Sequence, residues 1–311
     1  MDDYTPRISV VIVTRNRAVL LKKVIHSLLV QTVLPDEILI VDNHSEDETK
    51  KIVLHLQGLK KVLIRYAFEK KIGYPIVHNT GLKNAAYKWV AFIDDDCIAD
   101  KNWVRELKRS IQKNSDAVVI LGESKTLYPQ NIFSLTIYLL DQNWKKNRIH
   151  GQRILNYEIL DNKNIVYNNP FLKKHRIAFD EKRVCILHGA AEDCDLGKQI
   201  EKAGGVALYQ KMAVVSHLDP THFFWFCKRY IKSYAAYLFF AQKWPQTNSF
   251  PSQIGLKKLI VDHLAKYRYS SIQQVALYIF LSLVVGVSII LQHIIKNKRM
   301  KQLFIQFAEK I

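Results

Sequence analysis

Five short apolar runs, separated by stretches of helical periodicity, restrict the fold of this 311-residue chain more than any other feature. The runs are rich in β-branched residues and mostly continuous rather than alternating, and they cover residues 8–13, 37–41, 62–66, 89–93 and 117–121. Continuous runs of this length are typical of strands buried on both faces of a mainly parallel sheet. Together with the intervening helical stripes, they predict a doubly wound α/β fold whose sheet is flanked by helices.

Polar side chains gather where three of the predicted strands end. They are Thr14, Arg15, Asn16 and Arg17 after the first run, the segment from Asp42 to Asp47 after the second, and Asp94, Asp95 and Asp96 after the fourth. In doubly wound sheets, ligands bind at the carboxyl ends of the strands. We therefore expect these side chains to converge on one edge of the sheet.

The three consecutive carboxylates after the fourth run are unexpected in a chain with a formal net charge of +18. Adjacent like charges repel one another, so a cation is expected to lie against them. Alternate residues of a strand, such as Asp94 and Asp96, can point in the same direction. Mg²⁺ and Mn²⁺ are commonly held by one or two carboxylates together with substrate phosphates. The pattern predicts such a metal site, with a solvated acidic turn as the alternative.

Two further acidic positions allow a structural and a chemical interpretation. Asp42 can contact a nucleobase or ribose, and it can belong to a turn in which Asn43, Ser45 or Asp47 caps a helix beginning near Glu46. Both roles can hold at once, with Asp42 facing a ligand and Ser45 capping the helix. Glu192 and Asp193 open a predicted helix, where the helix dipole favours acidic side chains. A carboxylate in a cleft is also what a general base requires. The residues alone leave both interpretations open.

Six segments carry a resemblance to a known enzyme family. They are ISVVIVTRNR (8–17), ILIVDNHSEDET (38–49), GYPIVHNTGLKNA (73–85), WVAFIDDDCIADKNWV (89–104), NNPFLKKHRIAFDEKR (168–183) and AAEDCDLGKQIEKAG (190–204). In this order and spacing, the chain resembles the family 2 glycosyltransferases with the GT-A fold. The resemblance implies transfer of a sugar from a nucleotide-diphosphate donor, with inversion at the anomeric carbon. The Q-x-x-R-W motif of processive polysaccharide synthases is not evident, which favours addition of a single sugar.

The resemblance also implies roles for individual residues. For binding of the nucleotide-sugar it implicates Thr14, Arg15, Asn16, Asp42, His78, Asn79, Asp94 and Asp95. Asp94 and Asp96 match the D-x-D motif, with Asp96 as the more direct ligand of Mg²⁺ or Mn²⁺. Asp193 matches the catalytic base and Glu192 supports it. Asn169 and Lys173 fall in the stretch that lines the cleft for sugar and acceptor.

Two positions depart from the family pattern. Arg15 stands where many members have Tyr, and His78 stands where many have Arg. An Arg at the second position would contact the nucleotide, so the preferred base is left open. The predicted domains are a catalytic domain at residues 1–220, with a nucleotide-binding half at about 7–121 and an acceptor-side half at about 122–220, and a C-terminal region at residues 221–311.

The C-terminal region has the composition of a membrane-associated segment. Residues 222–244 mix aromatic with basic side chains, residues 275–291 contain no charge, and only Asp262 and Glu309 are acidic after Thr221. Aromatic and basic helices of this kind lie at membrane surfaces. The apolar segment at residues 272–295 has the length of about 20 residues that a transmembrane helix needs, so it either spans the membrane or lies in it. A buried helix of a soluble protein is the alternative.

These patterns together predict the partners of the chain. They are a nucleotide-diphosphate sugar, a glycan or lipid-linked acceptor, and membrane lipids, with the catalytic domain on the cytoplasmic side of a membrane. A basic nucleic-acid-binding protein is an alternative, and an inactive membrane scaffold that keeps a transferase fold is another. Because the basic residues cluster around the apolar segment, no nucleic acid is expected as a partner.

Overall fold

The computed structural model describes residues 5–58, 61–146, 148–183, 191–246, 271–294 and 297–310. The chain divides into two compact units. Unit 1 comprises Met1–Lys125 and Arg148–His217, and unit 2 comprises Thr126–Asn147 and Leu218–Ile311. Most of the segment between Thr126 and Asn147, which the sequence analysis placed in the acceptor-side half, forms a helix that groups with the C-terminal helices.

Strands and helices alternate along the first half of the chain. The strands are β1 (Ile8–Thr14), β2 (Glu37–Asp42), β3 (Leu63–Phe68), β4 (Trp89–Ile93), β5 (Cys97–Ala99), β6 (Ala117–Thr126), β7 (Ile149–His150), β8 (Arg153–Ile154), β9 (Asn164–Asn168) and β10 (Val206–His217). The helices are α1 (Ala18–Leu29), α2 (Thr49–Gln57), α3 (Tyr74–Asn84), α4 (Trp103–Lys113), α5 (Ile132–Lys146), α6 (Asn169–Lys174), α7 (Glu192–Lys202), α8 (Phe223–Lys243), α9 (Ser271–Ile294) and α10 (Lys298–Lys310). All five apolar runs of the sequence therefore form strands, as predicted.

The strands form one sheet with the order β3, β2, β1, β4, β9, β6, β10, β8, β7, and β5 pairs with β10. The first four strands in this order are parallel, and Thr14 lies beside Asp42 in the register. β9 runs antiparallel to β4 and to β6, so Asn164 at the start of β9 lies beside Ile93 at the end of β4. The sheet is therefore mixed rather than mainly parallel, because the second half of unit 1 inserts antiparallel strands.

The core of unit 1 lies between this sheet and the helices α1 and α4. β1, β2 and β4 are buried at every position, as expected for strands covered on both faces. On α1, the apolar side chains that recur at helical spacing are fully buried, including Leu21, Ile25 and Leu28. Burial of apolar surface at about 25 cal/mol per Å² stabilises this arrangement. The core thus fixes the positions of the residues that follow β1, β2 and β4.

Asn164 links β9 to its neighbours from within the core. Its Oδ1 accepts a hydrogen bond from Trp103 Nε1 (2.8 Å), and its Nδ2 donates to the carbonyl oxygens of Glu123 (2.8 Å) and Ala213 (2.9 Å). A Cβ atom added at Gly122 would lie 2.3 Å from the Asn164 carboxamide, so glycine is required there. A fully buried amide is thereby satisfied, and the start of β9 is held at the carboxyl end of β4.

The helix predicted to begin near Glu46 begins three residues later, and of the three predicted capping residues Asp47, rather than Ser45, bonds its first backbone N–H. α2 begins at Thr49, and Asp47 Oδ1 accepts a hydrogen bond from the Thr49 backbone N–H (3.0 Å). Asp47 Oδ2 accepts from the backbone N–H of Ala18, the first residue of α1 (3.0 Å). One carboxylate therefore satisfies orphan donors at the amino ends of two helices.

Unit 2 is helical over most of its described residues. Leu135 and Leu139 of α5 pack against Leu277 and Leu281 of α9. The predicted apolar segment at residues 272–295 coincides with α9, except for its final residue, which lies outside the described residues. In the part of the chain that the structure describes, no helix combines the length and the apolar character needed to cross a membrane. Association of this region with a membrane stays a prediction.

Candidate active site

The carboxyl ends of β1 and β4 are joined by polar side chains. Thr14 Oγ1, at the end of β1, donates a hydrogen bond to Asp95 Oδ2 (2.7 Å). Arg17 Nη1 donates to Asp95 Oδ1 and to Asp96 Oδ2, both at 2.9 Å. Asp95 is buried, and burial raises its pKa against the opposing effect of Arg17. Asp95 therefore connects two strands within the protein. This contact fits a structural role in the turn after β4 better than direct contact with a ligand.

Asp96 also lies close to the side chains of His217 and Cys97. Its Oδ1 is 3.3 Å from His217 Nε2, and His217 lies opposite Cys97 in the pairing of β10 with β5. Potential ligand atoms of Asp96, Cys97 and His217 lie within 4.8 Å of one another. A carboxylate oxygen and an imidazole nitrogen suit Mn²⁺ and similar ions, whereas burial raises the pKa of the Cys97 thiol well above its usual range. Asp96 and His217 thus fit a divalent cation, and the thiol fits it poorly.

Asp94 faces the interior of an acidic cluster. Burial, and then the charges of Asp96 and Asp161, raise its pKa to about 7. Asp161 lies three residues before Asn164, and the register places this part of the chain beside the end of β4. β9 is antiparallel to β4, so the start of β9 lies at the edge where β4 ends. The residue that β9 brings to this edge, Asp161, therefore comes before the strand in the sequence. Asp161 carries no sequence signal as a site residue, because it precedes a strand instead of following one.

Glu192 and Asp193 occupy the first turn of α7. Burial and the charge of Asp193 raise the pKa of Glu192 to about 8, with a smaller contribution from Asp94. Burial and Asp161 raise the pKa of Asp193 to about 6, and Lys163 opposes this rise. Burial and neighbouring charges therefore raise both pKa values, that of Glu192 more than that of Asp193, so Glu192 is the more readily protonated of the two. Separated pKa values of this kind are typical of an acid and base pair.

Close packing holds α7 in place. A short 3₁₀ turn at Tyr157–Ile159 packs against α7. A Cβ added at Gly197 would lie 2.2 Å from the Tyr157 carbonyl oxygen, so α7 can approach this turn only with glycine at position 197. Cys194 Sγ donates a hydrogen bond to the Glu158 carbonyl (3.0 Å). Tyr157 OH donates to the Gly205 carbonyl (2.6 Å) beyond the end of the helix. The position of the acidic first turn is therefore fixed by contacts along the whole of α7.

Asp42 has protein partners on both carboxylate oxygens. Tyr66 OH donates to Oδ2 (2.7 Å), the Ser45 backbone N–H donates to Oδ1 (2.8 Å), and the residue is 1% exposed. Asn16, in the left-handed region at φ 53°, accepts from the Glu46 backbone N–H (2.7 Å) and ties the β1 loop to the β2 loop. Arg15 is exposed beside it. The contacts of these residues with a nucleotide stay predictions, and for Asp42 the structure supplies the turn role.

His78 and Asn79 of α3 contact the segment around Phe179. His78 is buried, stacks on the Phe179 ring at 4.9 Å and meets the edge of Phe92 at 5.1 Å, and burial lowers its pKa to about 4. Asn79 Nδ2 donates to the Phe179 carbonyl (2.9 Å) and its Oδ1 accepts from the Phe179 N–H (3.0 Å). The imidazole is therefore neutral in an aromatic cluster, and it cannot replace an arginine as a cationic contact to a nucleotide.

Tyr74, at the start of α3, is a site residue that the sequence analysis missed. Burial raises the pKa of its hydroxyl to about 12, and the charges of Arg17, Asp94, Asp95 and Glu192 all act on it. Tyr74 therefore lies within electrostatic range of the acidic side chains, although the residue as a whole is 38% exposed. No motif marked it, because an aromatic residue at a helix start usually signals packing.

Asn169 and Lys173 lie apart from this cluster. Asn168, the last residue of β9, pairs with Trp89 at the amino end of β4, opposite to the end that carries Asp94. The Asn169 amide donates to the Leu82 carbonyl (2.8 Å), and the side chain is buried. Lys173 is exposed on α6. The antiparallel direction of β9 therefore separates Asn169 from the acidic edge, and the structure gives it a packing role in place of the predicted cleft role.

Comparisons with solved structures define the class of fold. Staphylococcus aureus TarS (residues 1–349), solved in complex with UDP-GlcNAc, superposes with a TM-score of 0.57 at 18% identity, over 84% of this chain and 74% of that one. The mannosyltransferase PcManGT of Pyrobaculum calidifontis, solved with GDP-Man and Mn²⁺, gives 0.59 at 15% identity, over 98% and 86%. This likeness shows an α/β fold of the GT-A type.

The family follows from the sequence match. The model of glycosyl transferase family 2 matches residues 9–164, half of the chain, and the chain belongs to this family. A GalNAc(5)-diNAcBac-PP-undecaprenol beta-1,3-glucosyltransferase of Campylobacter jejuni is 39% identical over 93 residues, or 29% of this chain and 30% of that protein. The chain spans less than half the length of each curated relative that we compared. The predicted family and enzyme class are thereby confirmed.

Proposed function

We propose that this chain transfers a single sugar from a nucleotide-diphosphate donor to a hydroxyl of a glycan or lipid-linked acceptor, with inversion at the anomeric carbon. The observation that carries the proposal is the meeting of two acidic groups. Asp94 and Asp96 follow β4, Asp193 lies in the first turn of α7, and Asp161 acts electrostatically on both groups. This combination suits a metal-assisted transferase, in which one group would hold a cation for the donor diphosphate and the other would receive a proton.

In the proposed mechanism, Asp193 accepts the proton of the acceptor hydroxyl as its oxygen attacks the anomeric carbon from the face opposite the diphosphate. Glu192, whose pKa is about 8, keeps its proton at neutral pH and so limits the negative charge beside the base. Asp96 and His217 are the residues that would hold Mg²⁺ or Mn²⁺, with Asp94 next to them. A divalent cation there would neutralise the departing diphosphate.

The donor is tested by screening the purified chain against a panel of UDP-, GDP- and dTDP-sugars with Mn²⁺ or Mg²⁺. We expect one nucleotide series to raise the melting temperature and to be hydrolysed slowly, because water can replace an absent acceptor. Neither response with any donor, in a chain that is folded by circular dichroism, would reject the proposal. Nucleotide-sugars of UDP and GDP head the panel because TarS and PcManGT were solved with donors of these two kinds.

We also propose that unit 2 associates with the membrane surface, with the catalytic unit on the cytoplasmic side, where nucleotide-sugars are available. One face of α9 exposes apolar side chains at helical spacing, among them Val275 (58%), Ile279 (54%) and Leu283 (61%). Phe224 and Trp225 at the start of α8 are more than half exposed. Exposed apolar faces among basic residues are typical of interfacial helices.

Flotation with lipid vesicles tests this association. We expect the chain to float with vesicles that contain anionic lipid, and the double variant Ile279→Ser, Leu283→Ser to float less. The matched control replaces exposed Val19 and Leu54 of unit 1 with Ser. Equal flotation of both double variants and of the unaltered chain would show that the α9 face does not contact lipid.

A further inference from the structure

Arg17 is a cation that the sequence motifs did not assign to any role. It is the last residue before α1, and its side chain reaches from the β1 loop to the carboxyl end of β4. Nη1 alone makes both hydrogen bonds, to Asp95 Oδ1 and to Asp96 Oδ2, each at 2.9 Å. A single nitrogen thus bridges two carboxylates that would otherwise repel each other.

The two carboxylates in this bridge are not equivalent. The Asp95 side chain is 7% exposed and also accepts from Thr14, so it is fixed within the protein. The Asp96 side chain is 16% exposed, and its other oxygen faces His217 at 3.3 Å. Arg17 therefore contacts Asp96 on the oxygen that points away from His217.

The guanidinium itself is positioned to exchange partners. Its side chain is 45% exposed. Burial lowers the pKa of the guanidinium, but the charges of Asp95 and Asp96 outweigh this effect and raise the pKa above its usual value. It stays charged at every pH at which the protein is folded. Among the described residues its hydrogen bonds engage Nη1, so the planar fork can present its other N–H groups to an anion while it remains against Asp95.

We propose that Arg17 is an exchangeable counter-cation, which bridges Asp95 and Asp96 in the donor-free protein and moves from Asp96 to the diphosphate of the bound donor. This inference rests on the proposed function, because it presumes a diphosphate ligand and a divalent cation at Asp96. A cation at Asp96 competes with Arg17 for the same carboxylate. An arriving diphosphate then offers Arg17 a bidentate partner of higher charge.

The proposal predicts that Arg17→Met changes two affinities in opposite directions, strengthening Mn²⁺ binding and weakening nucleotide binding. Without nucleotide, the variant should bind Mn²⁺ about two- to fivefold more tightly, as expected when a half-exposed competing ion pair is removed. With Mn²⁺ saturating, the same variant should bind UDP or GDP about tenfold or more weakly, since a charge-assisted contact to phosphate is lost. A residue with only a structural role would weaken both interactions.

Electron paramagnetic resonance of free Mn²⁺ measures the first quantity, and isothermal titration calorimetry with UDP and with GDP measures the second. Lys23→Met is the matched control, because Lys23 is exposed on α1 and its loss removes the same charge. Arg17→Lys keeps the charge without the planar fork, so smaller changes of the same signs are expected. This second variant also keeps the test available if Arg17→Met does not fold.

The outcomes separate this inference from the proposed function. Tighter Mn²⁺ binding together with weaker nucleotide binding, relative to Lys23→Met, supports the exchange. Unchanged or weaker Mn²⁺ binding, or unchanged nucleotide binding, overturns the role of Arg17 and leaves the transferase proposal standing. If the unaltered chain binds neither Mn²⁺ nor any of UDP, GDP and dTDP, the proposed function fails first and the inference fails with it.

Discussion

Replacing Asp193 with Asn tests the proposed base most directly. The carboxamide keeps the size of the side chain but cannot accept the proton of the acceptor hydroxyl. General-base catalysis contributes on the order of 10²- to 10⁴-fold, so we expect kcat to fall by at least about a hundredfold. The donor KM should change little, because Asp193 lies in the first turn of α7 whereas the expected cation ligands Asp96 and His217 lie after β4 and at the end of β10.

The pH dependence of kcat/KM gives a second, independent test of Asp193 as the base. Burial and Asp161 raise the pKa of Asp193 to about 6. A base acts only in its deprotonated form. Nearly all of the enzyme is therefore active well above pH 6, and the active fraction falls as the pH drops through this value. Below about pH 6 we expect kcat/KM to decrease about tenfold per pH unit, which is the slope of a single ionisation. An ordinary aspartate would lose activity only near pH 4.

The assay follows release of the nucleoside diphosphate from about pH 4.5 to 8, at saturating metal and with the donor that the panel identifies. Asp116→Asn, on the surface beside Arg153, is the matched control and should keep both the rate and the acid limb. In Asp193→Asn the residual rate should lose this limb. The reasoning would be refuted by a variant that retains a tenth or more of the wild-type kcat with the acid limb unchanged.

Three further predictions concern the metal site and the scaffold. Asp96→Ala should weaken Mn²⁺ binding at least about tenfold, and an unchanged Mn²⁺ titration would remove Asp96 from the site. Gly197→Ala should lower the free energy of unfolding by about 1–3 kcal/mol in urea denaturation, since its Cβ would meet the Tyr157 carbonyl at 2.2 Å. Asp47→Ala should cost about 0.5–2 kcal/mol at neutral pH, because two helix ends lose a cap. Hydrogen bonds from Thr49 and Ala18 hold the pKa of Asp47 below its usual value despite burial, so this difference should disappear as the pH falls through that lowered pKa.

The sequence predicted the parallel half of the sheet because its strands are local signals. Runs such as residues 89–93 are apolar at every position, and that pattern depends only on burial of both faces. The acids after β4 could be assigned to a ligand edge for the same reason, since the end of a strand is visible in the sequence.

The rest of the site depends on pairings that are distant in the sequence. Asp161 reaches the acidic edge because β9 runs antiparallel to β4, and His217 reaches it because β10 pairs with β5. The same antiparallel pairing removes Asn169 from the edge. Neither the direction of β9 nor its neighbour is encoded in a short pattern, so attention to strand ends misses Asp161 and His217, and the family resemblance alone does not show on which side of β9 Asn169 lies.

The acidic first turn of α7 also bears on how such a chain changes once selection relaxes. Glu192 has a pKa of about 8 in the folded chain against about 4 in an unfolded one, so its contribution favours folding at acidic pH and opposes it progressively as the pH rises towards 8. At neutral pH the fold would therefore gain by exchanging this side chain for an uncharged one. Under the proposed mechanism, a copy freed from catalysis would therefore drift towards Gln or Met at this position, and retention of the carboxylate pair would mark a working enzyme among related chains.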